Sequence, residues 1–102
     1  MAQPLTVIIM LNYNGAKDTV ECIESLKKID YTNYRILIVD NSSTDDSVAV
    51  FRSKFPELDL YVTEKNLGYT GGVKKGVREA ARVNPSYIAV LNNDTPVEAE
   101  FL

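Results

Sequence analysis

Four short apolar runs without polar alternation constrain this chain more than any other feature. They are Leu5–Leu11, Arg35–Val39, Leu60–Thr63 and Tyr87–Leu91, rich in Val, Ile, Leu and Tyr. A strand with one wet face alternates apolar and polar residues, whereas a continuous run suits a strand covered on both faces of a parallel sheet. The segments between the runs have helical spacing. Ala16–Ile29 sets Val20, Ile23, Leu26 and Ile29 along one stripe, with Glu24 and Lys28 paired at i,i+4 outside it. A second helix opens at Ser42-Ser43-Thr44-Asp45-Asp46, where Ser43 and Asp46 have capping-box spacing; Val48, Phe51 and Phe55 form its stripe, and Pro56 helps to stop it. A third, about Gly71–Val83, places Val73, Val77 and Ala80 inward and ends at Asn84-Pro85. The order βαβαβαβ predicts right-handed crossovers and a Rossmann-like three-layer α/β/α fold with a mainly parallel sheet.

The 102 residues suit one domain with one modest core. A net charge of −3 and the lack of a long basic run argue against nucleic acid or an anionic membrane as partner. The chain has no His, which removes His-dependent triads and most zinc chemistry, and its single cysteine, Cys22, cannot form an internal disulfide. The run Val7–Leu11 is too short to span a bilayer and lacks the basic flank of a signal peptide, so a cytoplasmic product is expected.

In open parallel sheets ligands bind at the carboxyl ends of the strands, near a topological switch point. Here those ends read Asn12-Tyr13-Asn14-Gly15, Asp40-Asn41-Ser42-Ser43, Glu64-Lys65-Asn66-Leu67-Gly68 and Asn92-Asn93-Asp94-Thr95, all crowded with hydrogen-bonding side chains. Gly68-Tyr69-Thr70-Gly71-Gly72 lies before the third helix and contains neither a dinucleotide fingerprint nor a Walker loop. Glycines at a helix start let backbone N–H groups approach a diphosphate; they equally permit a tight turn and close helix packing. Asp40 can accept a hydrogen bond from a nucleobase or ribose, or it can hold its own turn. Asp94, flanked by Asn92 and Asn93, offers an oxygen ligand suited to Mg²⁺ or Mn²⁺, whose shell substrate phosphates would complete, or the three form an ordinary polar turn.

The succession Val7–Gly15, Ile38-Val39-Asp40-Asn41-Ser42-Ser43-Thr44-Asp45, Asn66-Leu67-Gly68-Tyr69-Thr70-Gly71-Gly72 and Leu91–Thr95 resembles the family 2 glycosyltransferases, and within them the rhamnosyltransferase-like members. The resemblance runs over nearly the whole chain. It implies the GT-A fold and inverting transfer of a sugar from a nucleotide diphosphate donor, UDP- or dTDP-linked, to a glycan or lipid-linked acceptor in cell-surface polysaccharide synthesis. Carried over by position, Asn12, Tyr13 and Asn14 line the nucleoside pocket and Asp40 holds the base. Asn66, Gly68, Gly71 and Gly72 lie beside the donor, as do Asn92 and Asn93 of the metal motif, in which Asp94 is the acidic ligand. Lys74 stands where this branch usually has Asn within Gly-Gly-x-Asn; a cation there either approaches the diphosphate or disturbs a donor contact.

Such family members run to well over twice this length, and their acceptor half carries the general base. Residues 1–102 are therefore expected to be the donor- and metal-binding portion of a truncated GT-A fold, with the base beyond Leu102 and no sugar transfer by the chain alone. Thr95-Pro96-Val97-Glu98 announces a further helix, which fits a longer protein, and membrane association is expected through the missing half. Two other readings stay open. One is a non-catalytic module that binds nucleotide or self-associates as a homodimer through the Tyr87–Leu91 edge. The other is a sugar nucleotidyltransferase, against which the missing Gly-rich loop after the first strand argues.

Overall fold

The computed structural model of the chain describes residues 5–28 and 33–92, Asn92 by its backbone only. In order they form β1 (Thr6–Asn12), α1 (Ala16–Leu26), β2 (Tyr34–Asp40), α2 (Ser47–Lys54), β3 (Asp59–Val62), α3 (Gly68–Ala80), a 3₁₀ turn (Ala81–Val83) and β4 (Tyr87–Asn92). The four strands make one parallel sheet in the order β3-β2-β1-β4, with Thr6 paired to both Tyr34 and Tyr87. The chain winds outward from β1 to β3, then crosses back over two strands to β4. This is the α/β architecture that the apolar runs predict, with its switch point between β1 and β4.

The absence of polar alternation in β1 follows from its place. Ile8 and Met10 turn to one face, where Ile36, Ile38, Cys22, Ile23, Leu26, Phe51 and Phe55 complete a core under α1 and α2. Val7 and Ile9 turn to the other, against Leu37, Val39 and Ala80 under α3. Ile8, Ile9 and Met10 are all fully buried, each contributing about 1.5–3 kcal/mol of hydrophobic burial. The edge strand β3 departs from the expected two-sided burial: its residues are half-buried or exposed, because only β2 flanks it.

The face of α3 also differs from expectation. Gly72, Gly76 and Ala80 point inward, while Val77 is 40% exposed. The cause is proximity. A Cβ on Gly76 would stand 2.9 Å from Ile9 Cγ2 and 3.1 Å from Val39 Cγ2, and one on Gly72 3.0 Å from Leu11 Cδ2. A seam without side chains brings the helix down onto the sheet, so the apolar positions sought by spacing fall beside the contact line. On α1, Glu24 pairs with Lys54 of α2 at 3.4 Å rather than with Lys28; both partners are half exposed, so the pair adds at most about 1 kcal/mol.

No capping box starts α2. Asp46 occupies the cap position without a side-chain bond, and Asp45 Oδ1 accepts the Ser47 N–H at 2.9 Å. Hydrogen bonding from Ser47, whose N–H is the donor, holds the Asp45 carboxyl below its ordinary value. A carboxyl lowered by folding favours the folded form above its unfolded pKa, and that contribution fades as pH falls through the lowered value. The Ser47 amide is accordingly expected to lose exchange protection on acidification, and Asp45→Asn to remove that pH dependence, as read by amide NMR.

Ile29 and the segment Thr95–Glu98, both placed in helices above, lie outside the described residues, as do Asn93 and Asp94.

Candidate functional site

Three loops leave the carboxyl edge of the sheet, after β1, β2 and β3, and they are tied to one another around Asp40. This carboxylate is fully buried. Its Oδ1 accepts from Asn12 Nδ2 at 2.8 Å and Ser43 Oγ at 2.7 Å, and its Oδ2 accepts from the Ser43 N–H at 2.9 Å. Asn12, itself buried, accepts the Thr19 hydroxyl at 2.7 Å, which links α1 to the same network. Ser43 Oγ accepts the Asn14 N–H at 2.9 Å, and Asn14 Oδ1 accepts the N–H groups of Thr44 and Asp45 at 2.8 and 3.2 Å. Ser43 is thus drawn to Asp40 and Asn14 instead of capping α2.

The third loop is held by Asn41. Its Oδ1 accepts the Leu67 N–H at 3.1 Å and its Nδ2 donates to the Gly68 carbonyl at 2.9 Å. Asn66 Oδ1 accepts the Gly68 N–H at 2.8 Å, closing a tight turn into α3. Each loop contains one left-handed residue: Asn14 at φ 50°, Ser42 at 62° and Gly68 at 73°. For Ser42 this conformation costs roughly 1–2 kcal/mol. Its hydroxyl, bonded to the Thr63 carbonyl at 2.6 Å, helps to hold it there. Strained residues gathered on one edge of a fold are characteristic of ligand sites.

Between these loops lies a cavity of about 320 Å³ lined by Leu11, Asn12, Tyr13, Asn41, Asn66, Gly68 and Tyr69. Four expected site residues, Asn12, Tyr13, Asn66 and Gly68, therefore meet in one place. Asn14 is the clip beside it. Asp40 is not among the residues that line this cavity; its oxygens accept from donors within the protein, and it fixes the loops. Gly71 and Gly72 act in packing. A Cβ on Gly71 would collide with Leu67 Cβ at 2.7 Å, and one on Gly72 with Leu11 and Asn41. Lys74 sits two residues, about 200° of helical rotation, from Gly72. It is exposed and is not among the residues that line the cavity. A larger depression of about 430 Å³ at the amino end of the sheet is framed by the ion pairs Lys27–Glu57 and Arg35–Asp59, each at 2.9 Å, and carries none of the candidate residues.

Asn41, Ser43 and Tyr69 belong to this site and lie in the stretches quoted above without having been given a site role, and Thr19, tied to Asn12, was not noticed in the sequence. A hydroxyl at Thr19, one position before the stripe residue Val20, was the available signal for a buried polar network. β4 brings the backbone of Asn92 beside Leu11, at the same edge. Among the described residues no three His, Cys, Asp or Glu side chains gather into a group able to hold a metal, and no helix is long and apolar enough to cross a membrane.

A parallel α/β sheet in this order, with its cavity at the carboxyl edge, defines a Rossmann-like ligand-binding domain. Residues 7–102 match the family described as Glycosyl transferase family 2, and the chain belongs to that family. Among similar proteins, glycosyltransferase GlyA of Streptococcus pneumoniae is 26% identical over 101 residues, 96% of this chain but 14% of that protein. The uncharacterized glycosyltransferase YwdF of Bacillus subtilis is 32% identical over 76 residues, 72% of this chain and 28% of that protein. The chain thus spans under a third of the length of these relatives. In structure it resembles the mannosyltransferase PcManGT of Pyrobaculum calidifontis, in complex with GDP-Man and Mn²⁺, with a TM-score of 0.76 at 20% identity. It also resembles S. aureus TarS in complex with UDP-GlcNAc, with a TM-score of 0.77 at 24% identity. Each likeness covers 93% of this chain and 29% and 28%, respectively, of the other. They establish the fold as the α/β portion of GT-A.

Proposed function

We propose that this chain supplies the donor-binding portion of an inverting glycosyltransferase of the rhamnosyltransferase-like kind, with the general base and the acceptor pocket provided outside residues 1–102. The observation that carries this reading is the carboxyl-edge cavity, framed by three cross-tied loops that each contain a left-handed residue. The nucleotide sugars held by the structural neighbours support it. In this reading the Asn12–Asn14 loop, Asn66 and Gly68 line the nucleoside pocket, and Asp40 acts through Asn12 and Ser43 by holding the loop. β4 ends at Asn92, at the same edge of the sheet, and in this reading Asp94, two positions further in the sequence, is the ligand of Mg²⁺ or Mn²⁺. The fit is that of a single protein carboxylate completed by donor oxygens, since the one fully buried acid at this edge, Asp40, is engaged with N–H and O–H donors. The ion's contribution, when bound, is to neutralise charge on the leaving diphosphate. The acceptor is a glycan or lipid-linked sugar of a cell-surface polysaccharide, and the protein works in the cytoplasm, with any membrane association made through the acceptor half.

Calorimetry with UDP, dTDP and GDP tests this. The expected result is weak binding that tightens by at least about tenfold (1.4 kcal/mol) with Mn²⁺. Asp94→Ala is expected to lose that gain and to keep the metal-free affinity. No binding of any of the three by the wild-type chain would overturn the donor-site reading, and a metal gain unchanged in Asp94→Ala would overturn the metal assignment.

A second reading is favoured by β4, which pairs only with β1 among the described residues and leaves Tyr87 and Ile88 62% and 38% exposed. An open apolar edge suits pairing with a second copy of the chain. Dimers by light scattering, abolished by a charged substitution at Ile88, are the expected outcome; a monomer at high concentration excludes this reading.

A further inference from the structure

Tyr69 has no assigned role, and the structure singles it out. It sits in the first turn of α3, is 60% exposed and lines the same cavity as Tyr13, which is 46% exposed. A single exposed aromatic needs no explanation, and Tyr87 is as exposed as Tyr69; what sets Tyr13 and Tyr69 apart is that both line one cavity. Neither phenol has a hydrogen-bond partner among the described residues, so neither ring is present to anchor a loop.

The polar lining sharpens the point. The Asn12 amide is engaged with Thr19 and Asp40, and the Asn41 amide with Leu67 and Gly68. Asn66 Oδ1 is engaged with the Gly68 N–H. Most of the edge-reading capacity of the cavity is therefore committed inside the protein, and among the described residues no charged side chain lines it. What it offers a ligand is chiefly aromatic surface. The turn that presents Tyr69 is rigid: Asn66 and Asn41 fix both polar groups of Gly68, immediately before it, and Gly68 takes the left-handed conformation that the turn requires.

We infer that Tyr69 is a specificity-determining wall of this cavity, contacting the face of a planar nucleobase while Tyr13 lines the same space from the first loop. This rests on the donor-site reading and goes beyond it by assigning the contact to the ring face and not to the base edge. Stacking of a base on an aromatic side chain tolerates sequence differences because every base has a π-face, and its removal weakens binding roughly tenfold. Tyr69 therefore selects for the presence of a base and not for which base it is.

The test uses metal-free calorimetry of the full chain with UMP, GMP and ribose 5-phosphate. Tyr69→Ala is expected to weaken UMP and GMP by a similar factor, roughly tenfold, and to leave ribose 5-phosphate unchanged; Tyr69→Phe is expected to bind all three as the wild type does. Unchanged thermal unfolding of both variants shows that the fold is intact, as expected for an exposed side chain. In the wild type, UMP is expected to shift the ring resonances of Tyr13 and Tyr69 and not those of the other four tyrosines. If UMP and GMP bind the wild type and Tyr69→Ala equally well, the inference fails and the donor site stands. A loss confined to one base, or an equal loss in Tyr69→Phe, overturns the ring-face assignment. If the wild type binds neither nucleotide, the donor-site reading falls and takes this one with it.

Discussion

Asp40→Ala is expected to destabilise the domain by about 3 kcal/mol or more, measured as a shift in the urea unfolding midpoint. The reason is what the substitution leaves behind. Three donors, the Asn12 amide, the Ser43 N–H and the Ser43 hydroxyl, converge on this carboxylate in a place that water does not reach. Hydrogen bonds to a charged group contribute about 1.5–3 kcal/mol each, and buried donors without a partner keep their full desolvation penalty. A small domain of marginal stability, about 5–15 kcal/mol, feels this strongly. Asp40→Asn should lose less, about 1–3 kcal/mol, because one acceptor remains while an NH₂ now faces a donor. The loss should not stay local. Asn12 and Ser43 are linked through this carboxylate, and Asn14 is held in turn by Ser43, so nucleotide binding should weaken in Asp40→Asn. Unchanged stability in Asp40→Ala would refute the network as drawn.

The second large effect belongs to Gly76. Gly76→Leu is expected to lose about 3 kcal/mol, since the side chain must enter space already filled by Ile9 and Val39. Gly76→Ala is the finer test, because two effects oppose. Alanine gains about 1 kcal/mol in helix propensity over glycine. Its Cβ, however, would stand 2.9 Å from Ile9 Cγ2, a branch methyl on a fully buried residue that has nowhere to retreat. The clash wins, and a net loss of about 1–2 kcal/mol is expected. Lys74→Ala on the outer face of the same helix should change stability by less than about 0.5 kcal/mol. A stabilised Gly76→Ala would mean that α3 can lift from the sheet without penalty.

The sheet was legible in the sequence because burial on both faces leaves a direct trace: Val7–Leu11 and Ile36–Val39 contain no alternation for a reader to misjudge. Strand ends were legible for a similar reason, since each apolar run stops at an Asn, Asp or Thr. What sequence reading missed was contact made by the absence of atoms. Spacing rules look for large apolar residues, so they chose Val77 and passed over Gly72 and Gly76, which carry the α3 interface. They also read Ser43 and Asp46 as a cap from their spacing alone, whereas Ser43 is drawn away by Asp40, three residues back, and by Asn12 and Asn14, about 30 residues back on the first loop. Asp40 was correctly picked out as special. Whether its carboxylate faces a ligand or its own chain depends on Asn12 and Ser43 converging on it, which no one-dimensional pattern displays. The last part of the site, Asn93 and Asp94, lies outside the described residues and rests on the motif alone.

The position of β1 has a consequence for how the chain comes to be folded. This strand leaves the ribosome before the other three described strands, yet it is central in the sheet, and its second neighbour, β4, is the last strand described: Thr6 pairs with Tyr87. During synthesis β1 and β2 can zip together early, but one edge of a fully apolar strand stays open until some eighty further residues have been made. Non-local parallel pairings of this kind form slowly, and an open strand edge in the interim is a template for association with other nascent chains. The central strand that makes the finished sheet secure is thus the point at which the unfinished one is most exposed, and conditions that slow elongation should show it first as aggregation.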